Sequence, residues 1–301
     1  MLSERCGSRP GTGPDGAGWG RARNPRRNPR NRSSAGVCFG SLMRLVTYDR
    51  GGHRRLGAIL EGEVVDLPGA VGHPAFPTTL EALVSSSRGS VMDAARAALQ
   101  RDDAWDHRVK RARILTPLFP SSLLSPGSSD LQRRIVGPED AVPWPEGAAW
   151  LGYEPLVAAV LGREASDATA EEIREHVFGY TLVNDWSAWS VDGSPADTAE
   201  GLPIAIGPCV VTQDELDPQT IFVQVKVDGQ ELVKGNLNGA AANLFALISE
   251  ASQGAVLERG DAFALGPFPE DAPDRRLWPG ALVELAAAGI GTLRNQIAPR
   301  A

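Results

Sequence analysis

Few residues of this chain have the types and spacing needed for nucleophilic, redox or metal chemistry. Cys6, Cys38 and Cys209 are odd in number and far apart, without the paired spacing of a zinc site or the even count of a disulfide framework. Cys209 reads as a small core residue. The four histidines, His53, His73, His107 and His176, fall in a turn, beside Pro74, in a charged segment and on a helix, and all read as surface residues. Glu171-Glu172 and Glu270-Asp271 read as solvated acidic faces. Charge is unevenly spread: residues 1–42 hold eight Arg against only Glu4 and Asp15, while the whole chain carries −7. The remainder is therefore strongly acidic and repels polyanions, so no nucleic-acid role is expected.

The elements that must position any site follow from pattern and punctuation. With 301 residues and 42% apolar composition, the chain can bury a sizeable core. No apolar run approaches the roughly 18 residues of a membrane span, and no secretory leader pattern opens the chain, so a cytoplasmic protein without membrane contact is expected. Residues 1–42, rich in Gly, Pro, Asn and Arg, read as a disordered basic tail, with Met43 as the natural start. Residues 43–115 read as a small N-terminal α/β domain: a meander from Met43 to Leu67, then two helical stretches around Leu80–Val84 and Val91–Leu99. Prolines punctuate 116–150, the expected linker.

Residues 151–301 read as mostly β. Strands are expected at 157–161, 179–184, 221–227, 231–234, 262–265 and 282–286, with a hairpin turn at Asp228-Gly229. Two helices interrupt them, 168–177 with Asp167 as N-cap, and 240–253 ending at Gly254.

Seven phrases in this second part occur in a characteristic order. They are Tyr153-Glu154 before an apolar run; Leu161-Gly162-Arg163 at its end; Gly179-Tyr180-Thr181-Leu182-Val183-Asn184-Asp185-Trp186-Ser187-Ala188; Gly207-Pro208-Cys209-Val210-Val211-Thr212; Val227-Asp228-Gly229-Gln230-Glu231; Arg259-Gly260-Asp261; and the closing Gly289-Ile290-Gly291-Thr292-Leu293-Arg294-Asn295, and the N-terminal meander agrees with them. In these the chain resembles the fumarylacetoacetate hydrolase family. The resemblance implies an α+β, mostly β fold, a mixed β-sandwich roll with outer helices preceded by the small N-terminal domain, and a homodimer. It also implies C–C hydrolysis of acylpyruvates and related diketo acids, or decarboxylation or isomerisation of similar 2-oxo acids, all through an enolate. Magnesium or manganese is the implied cofactor, spreading the enolate charge as a Lewis acid.

Carried over residue by residue, that site is incomplete. Glu154 and Asp185 match two metal-binding carboxylates, but Leu156 stands at the third, so the metal is expected to be weakly held or absent. Arg133 stands at the place of the catalytic His, and a guanidinium does not act as a general base near neutral pH, though it can still pair with one of the two carboxylates. Trp189, Thr198, Leu265 and Pro267 fall where the family places substrate-holding polar groups, making the expected pocket more apolar. The expected ligand is thus a small keto or enol compound less charged than a dicarboxylate. Three readings stay open: a divergent enzyme with altered or much reduced metal-dependent activity, a non-catalytic pseudoenzyme that binds a ligand or partner, and an intact hydrolase whose His comes from elsewhere in the chain.

Overall fold

The computed structural model describes residues 42–86, 89–125, 133–196, 201–237, 239–266 and 276–300. The expected basic tail lies outside these except for Leu42. Strands β1 (Arg44–Arg50), β2 (His53–Leu60) and β3 (Glu63–Asp66) form the expected meander, followed by helices α1 (Leu67–Val71), α2 (Leu80–Ser85) and α3 (Gly89–Leu99). Four two-residue strands follow, β4 (Ile114–Leu115) just before the proline-rich stretch and β5 (Leu123–Leu124), β6 (Ile135–Val136) and β7 (Ala141–Val142) within it. Then come β8 (Trp150–Leu161), β9 (Ala165–Ser166), α4 (Ala170–His176), β10 (Val177–Trp189), β11 (Ile204–Thr212), β12 (Phe222–Val227) and β13 (Gln230–Asn236). Helix α5 (Ala240–Ala251) and strands β14 (Val256–Leu257), β15 (Ala262–Leu265), β16 (Leu282–Ala287) and β17 (Gly291–Ile297) complete the order.

Two sheets carry the fold. The larger runs β3-β2-β1-β11-β10-β8-β15-β5, with β4 on β1 and β6 on β11; the smaller runs β13-β12-β16-β17-β7. Strands from the N-terminal meander and from the later β-rich part thus lie in one sheet, joined where β1 pairs with β11. Most pairs are antiparallel, but β6, β5 and β7 add in parallel, which makes both sheets mixed.

Burial explains the residue choices. β12 and β16 alternate buried and half-buried positions, so one face of the smaller sheet packs inward and the other meets water. β8, β10 and β11 are covered on both faces and accordingly read as near-continuous apolar runs. One face packs Val157, Leu182 and Trp186 against Val225, Leu285 and Leu293 of the smaller sheet. The opposite face packs Leu156, Ala158 and Val183 with Leu45, Leu80 and Leu83 beneath the N-terminal helices. The result is helices over a sheet over a sheet, the mostly β architecture that the sequence implies.

Several local expectations hold and others shift. Asp228 and Gly229 take φ of 49° and 80°, as a tight hairpin turn demands. Helix α4 is capped by Thr169, not Asp167: the Thr169 hydroxyl accepts from Glu172 N, and the Glu172 carboxylate accepts from Thr169 N at 2.8 Å. Helix α5 ends at Ala251 with Ser252 as its cap, three residues short of the expected glycine stop. Asp167 and Gly254 instead bind each other, Gly254 N donating to Asp167 Oδ1 at 2.9 Å. Among the described residues no helix is long and apolar enough to cross a membrane.

Candidate functional site

Strands β8 and β10 pair antiparallel in a register that sets Trp150 opposite Trp189, Gly152 opposite Ser187, Glu154 opposite Asp185 and Leu156 opposite Val183. Because side chains alternate along a strand, all eight share one face. They form a ladder with a step of about 6.8 Å along the strand. Its rungs are, in order, aromatic, small and polar, acidic and apolar.

The acidic rung is held from outside the two strands. Arg133, two residues before β6, places Nη1 2.6 Å from Asp185 Oδ1, with the two side chains only 13% and 14% exposed. The same guanidinium donates from Nε to Leu202 O at 3.0 Å, and from Nη2 to Trp186 O at 2.8 Å and Pro203 O at 3.2 Å. It therefore ties the end of β10 to the segment entering β11. Burial pushes the Asp185 carboxyl above its ordinary value, and Arg133 pulls it only part of the way back. Glu154, on the facing strand, is exposed to solvent.

The apolar rung closes the floor. Leu156 is 2% exposed and belongs to the core beneath the N-terminal helices. Gly266, just past β15, keeps this wall thin: a Cβ there would lie 3.3 Å from Leu156 Cδ2 and 3.9 Å from Glu154 Oε1. Leu265 pairs with Val157 and packs toward the core between the sheets, so it stands on the other face from the ladder.

At the open end, the Trp150 and Trp189 rings stack with centroids 5.0 Å apart and planes 9° from parallel. Trp189 Nε1 donates to Ser187 Oγ at 2.9 Å, and the Arg276 guanidinium sits 5.0 Å over the Trp150 ring. Gly152 leaves room for this rung. A Cβ there would fall 2.5 Å from Ser187 Oγ and 3.1 Å from Trp189 Nε1.

Of the residues singled out from sequence, the structure thus brings Glu154, Leu156, Asp185, Arg133 and Trp189 to one face. Thr198 and Pro267 lie outside the described residues. Trp186 is 2% exposed and packs in the core. No histidine reaches the ladder: His53 and His73 are exposed, and His176 sits at the far end of β10 from Asp185. His107 and His176 are half-buried, not fully on the surface as expected, and burial reaches His176 Nδ1 itself. Sequence reasoning missed Trp150, Gly152, Ser187, Gly266 and Arg276. The signal for the first three was the period of two carried back from Glu154 and forward from Asp185.

The donor set does not fit a divalent cation. Among the described residues no cluster of three or more His, Cys, Asp or Glu side chains could hold a metal ion. An aliphatic side chain stands beside Glu154, and one Asp185 oxygen already faces a guanidinium.

Comparison with known proteins agrees with this architecture. The uncharacterised protein PYRAB13970 of Pyrococcus abyssi is 28% identical over 189 residues, 60% of this chain and 80% of its own length. The mitochondrial oxaloacetate tautomerase fahd2 of Xenopus laevis is 29% identical over 174 residues, and oxaloacetate tautomerase YisK of Bacillus subtilis 30% over 166. The chain spans 54% of the length of each tautomerase. Among solved structures, a fumarylacetoacetate hydrolase from the psychrophilic Exiguobacterium antarcticum superposes with a TM-score of 0.67 at 24% identity, covering 86% of this chain and 100% of that one. Maleylpyruvate hydrolase from Sphingobium sp. SYK-6, in complex with manganese (II) ion and pyruvate, superposes with a TM-score of 0.66 at 19% identity over 86% of this chain and 100% of its own. The model of the C-terminal domain of fumarylacetoacetate (FAA) hydrolase matches residues 101–298. With the two-sheet roll and the order of its strands, that match establishes that the chain belongs to the fumarylacetoacetate hydrolase family.

Proposed function

We propose that this chain interconverts keto and enol forms of a small 2-oxo or diketo compound less charged than a dicarboxylate, with metal-dependent activity altered or much reduced. The observation that carries this reading is the acidic rung: Glu154 opposite Asp185, with Arg133 Nη1 2.6 Å from the latter. Enolisation moves one proton and needs no activated water. Glu154 takes a proton from the carbon next to the carbonyl, the C–H electron pair becomes the new C=C bond, and the carbonyl oxygen takes up the negative charge beside Arg133. The proton then returns to that oxygen, so atoms and charge balance without a co-reactant.

Hydrolytic C–C cleavage asks for more. It needs a base to activate water, and the ladder carries no histidine. The name oxaloacetate tautomerase borne by two relatives supports the proton-transfer reading. The Trp150–Trp189 stack favours a planar ligand, and the proposal includes the homodimer that the family resemblance implies and the cytoplasmic location expected from the sequence pattern.

The test is α-proton exchange of pyruvate and phenylpyruvate in D2O, followed by NMR. The wild type is expected to accelerate exchange, phenylpyruvate more than pyruvate, and Glu154→Gln to lower the rate by about 10²-fold or more. Equal rates for wild type and Glu154→Gln would refute the assignment. A second reading, a non-catalytic member that binds a ligand or partner, is favoured by the burial of Leu156 and by the contacts that hold Arg133 in place. Ligand binding without any exchange would select it.

A further inference from the structure

We infer that Arg133 is the resident cation of this site: its guanidinium takes the electrostatic place of a divalent ion at the Glu154–Asp185 rung and keeps such ions out. The inference shares the ladder with the proposed function and rests only on the placement of those side chains, not on any turnover.

The argument begins with the number of donors. An arginine side chain has five N–H groups in a rigid plane. Nε serves Leu202 O, the two hydrogens of Nη2 serve Trp186 O and Pro203 O, and Nη1 faces Asp185 Oδ1. Those contacts leave one Nη1 hydrogen uncommitted. The three carbonyls come from two separate backbone segments, the end of β10 and the entry to β11, so the guanidinium is fixed on both sides and has no freedom to swing away.

Charge and geometry then act together. A guanidinium is a permanent positive charge, unlike the carboxylate or water that would fill a cation's coordination sphere. A divalent ion bridging Glu154 and Asp185 would have to share Asp185 with a fixed positive charge, and because Arg133 and Asp185 are only 13% and 14% exposed, like charges beside them repel more than in bulk solvent. It would also find Leu156, in register with Val183, on the neighbouring rung where a further oxygen is needed. Arginine and a divalent ion are not equivalent in what they offer a ligand. The ion binds several oxygens at once, whereas the contacts of Arg133 with the described residues leave a single N–H to give. A ligand held through one carbonyl or enolate oxygen suits this site better than a chelating dicarboxylate.

Because the exclusion is built from two side chains, it should be reversible in two steps. The experiment is titration with Mn2+ alone, read by the electron paramagnetic resonance signal of the free ion, on the full chain and on variants shown to be folded by circular dichroism. The wild type is expected to leave the free-ion signal unchanged at millimolar Mn2+. Arg133→Gln, which keeps amide donors for the carbonyls but removes the charge, should bind Mn2+ at least about tenfold more tightly than the wild type. Adding Leu156→Glu to Arg133→Gln should tighten binding again, and adding Glu154→Gln to Arg133→Gln should abolish the gain. If the buried Leu156→Glu substitution prevents folding, the comparison of wild type, Arg133→Gln and Arg133→Gln/Glu154→Gln decides alone. Wild-type binding as tight as that of Arg133→Gln, or a folded Arg133→Gln that gains nothing, would overturn the inference. No substrate is used, so the proposed function can fail in the exchange assay while this inference stands, and the reverse.

Discussion

A carboxyl group that is buried yet paired carries two opposing influences, and Asp185 shows which one dominates. Burial raises its proton affinity more than Arg133 lowers it. The folded chain therefore holds this proton more tightly than the unfolded chain does. The stability from this group is complete below the unfolded carboxyl value and is lost as pH rises through the raised folded value. Urea unfolding of the wild type and Asp185→Asn across the acid-to-neutral range should show the wild type's relative stability falling as pH rises; a relative stability that grows with pH would mean that the pair outweighs burial. Cys209 gives a second residue-scale prediction. Burial pushes its thiol up to about 12, and Sγ donates to Ile290 O at 2.9 Å. The native protein should leave Cys209 unalkylated at neutral pH, as peptide mapping by mass spectrometry would reveal, and unfolding should expose it.

At the scale of elements, caps and close approaches decide where strands and helices begin. Thr169→Ala removes the hydroxyl half of the capping box of α4, leaving only the residue-169 N–H donating to Glu172, and should cost about 1 kcal/mol in chemical denaturation. Gly179→Ala should cost roughly 1–3 kcal/mol or more, because a Cβ on β10 would lie 2.2 Å from Val211 O, a backbone atom of β11 that cannot rotate aside. The sequence made much of this level legible: the meander, the hairpin at Asp228-Gly229, and both long helices fall close to where pattern and turn chemistry put them. Its misplacements have physical causes. Asp167 and Gly254 looked like helix caps because their residue types suit caps, yet they bind each other across the ends of α4 and α5, a pairing that no local rule encodes. Strand β8 begins at Trp150, earlier than the expected 157, although it contains Pro155 and prolines are rare inside sheets. Here Pro155 lies beyond the last pairing of β15, Leu265 with Val157, so no described bond to β15 is lost. That extension of β8 is what carries Trp150, Gly152 and Glu154 into the ladder.

For the whole molecule, the two sheets and their helical cover set the ladder where the N-terminal helices stop shielding the larger sheet. Asn295 is one of the ties between layers: at 1% exposure, its Nδ2 donates to Gly137 O at 3.0 Å and Asp140 O at 2.9 Å, fastening β17 to the turn before β7. Asn295→Ala should cost about 1–3 kcal/mol by removing the side-chain donor to both carbonyls, Gly137 O keeping only the long 3.4 Å bond from Asp140 N, read as a lower thermal midpoint. The residues of the acidic rung were legible from the order of phrases, because Glu154, Leu156, Asp185 and Arg133 were each placed by resemblance. That Arg133 pairs with a carboxylate of the site was legible too; which one was not, since its meeting Asp185 depends on β6 joining β11 in parallel, far along the chain. The central claim, that a guanidinium and not a divalent ion supplies the positive charge here, is tested most directly by α-proton exchange of phenylpyruvate after exhaustive dialysis against a chelator, with and without added Mn2+. The account predicts an accelerated rate that Mn2+ leaves unchanged; exchange that appears only when Mn2+ is restored would contradict it.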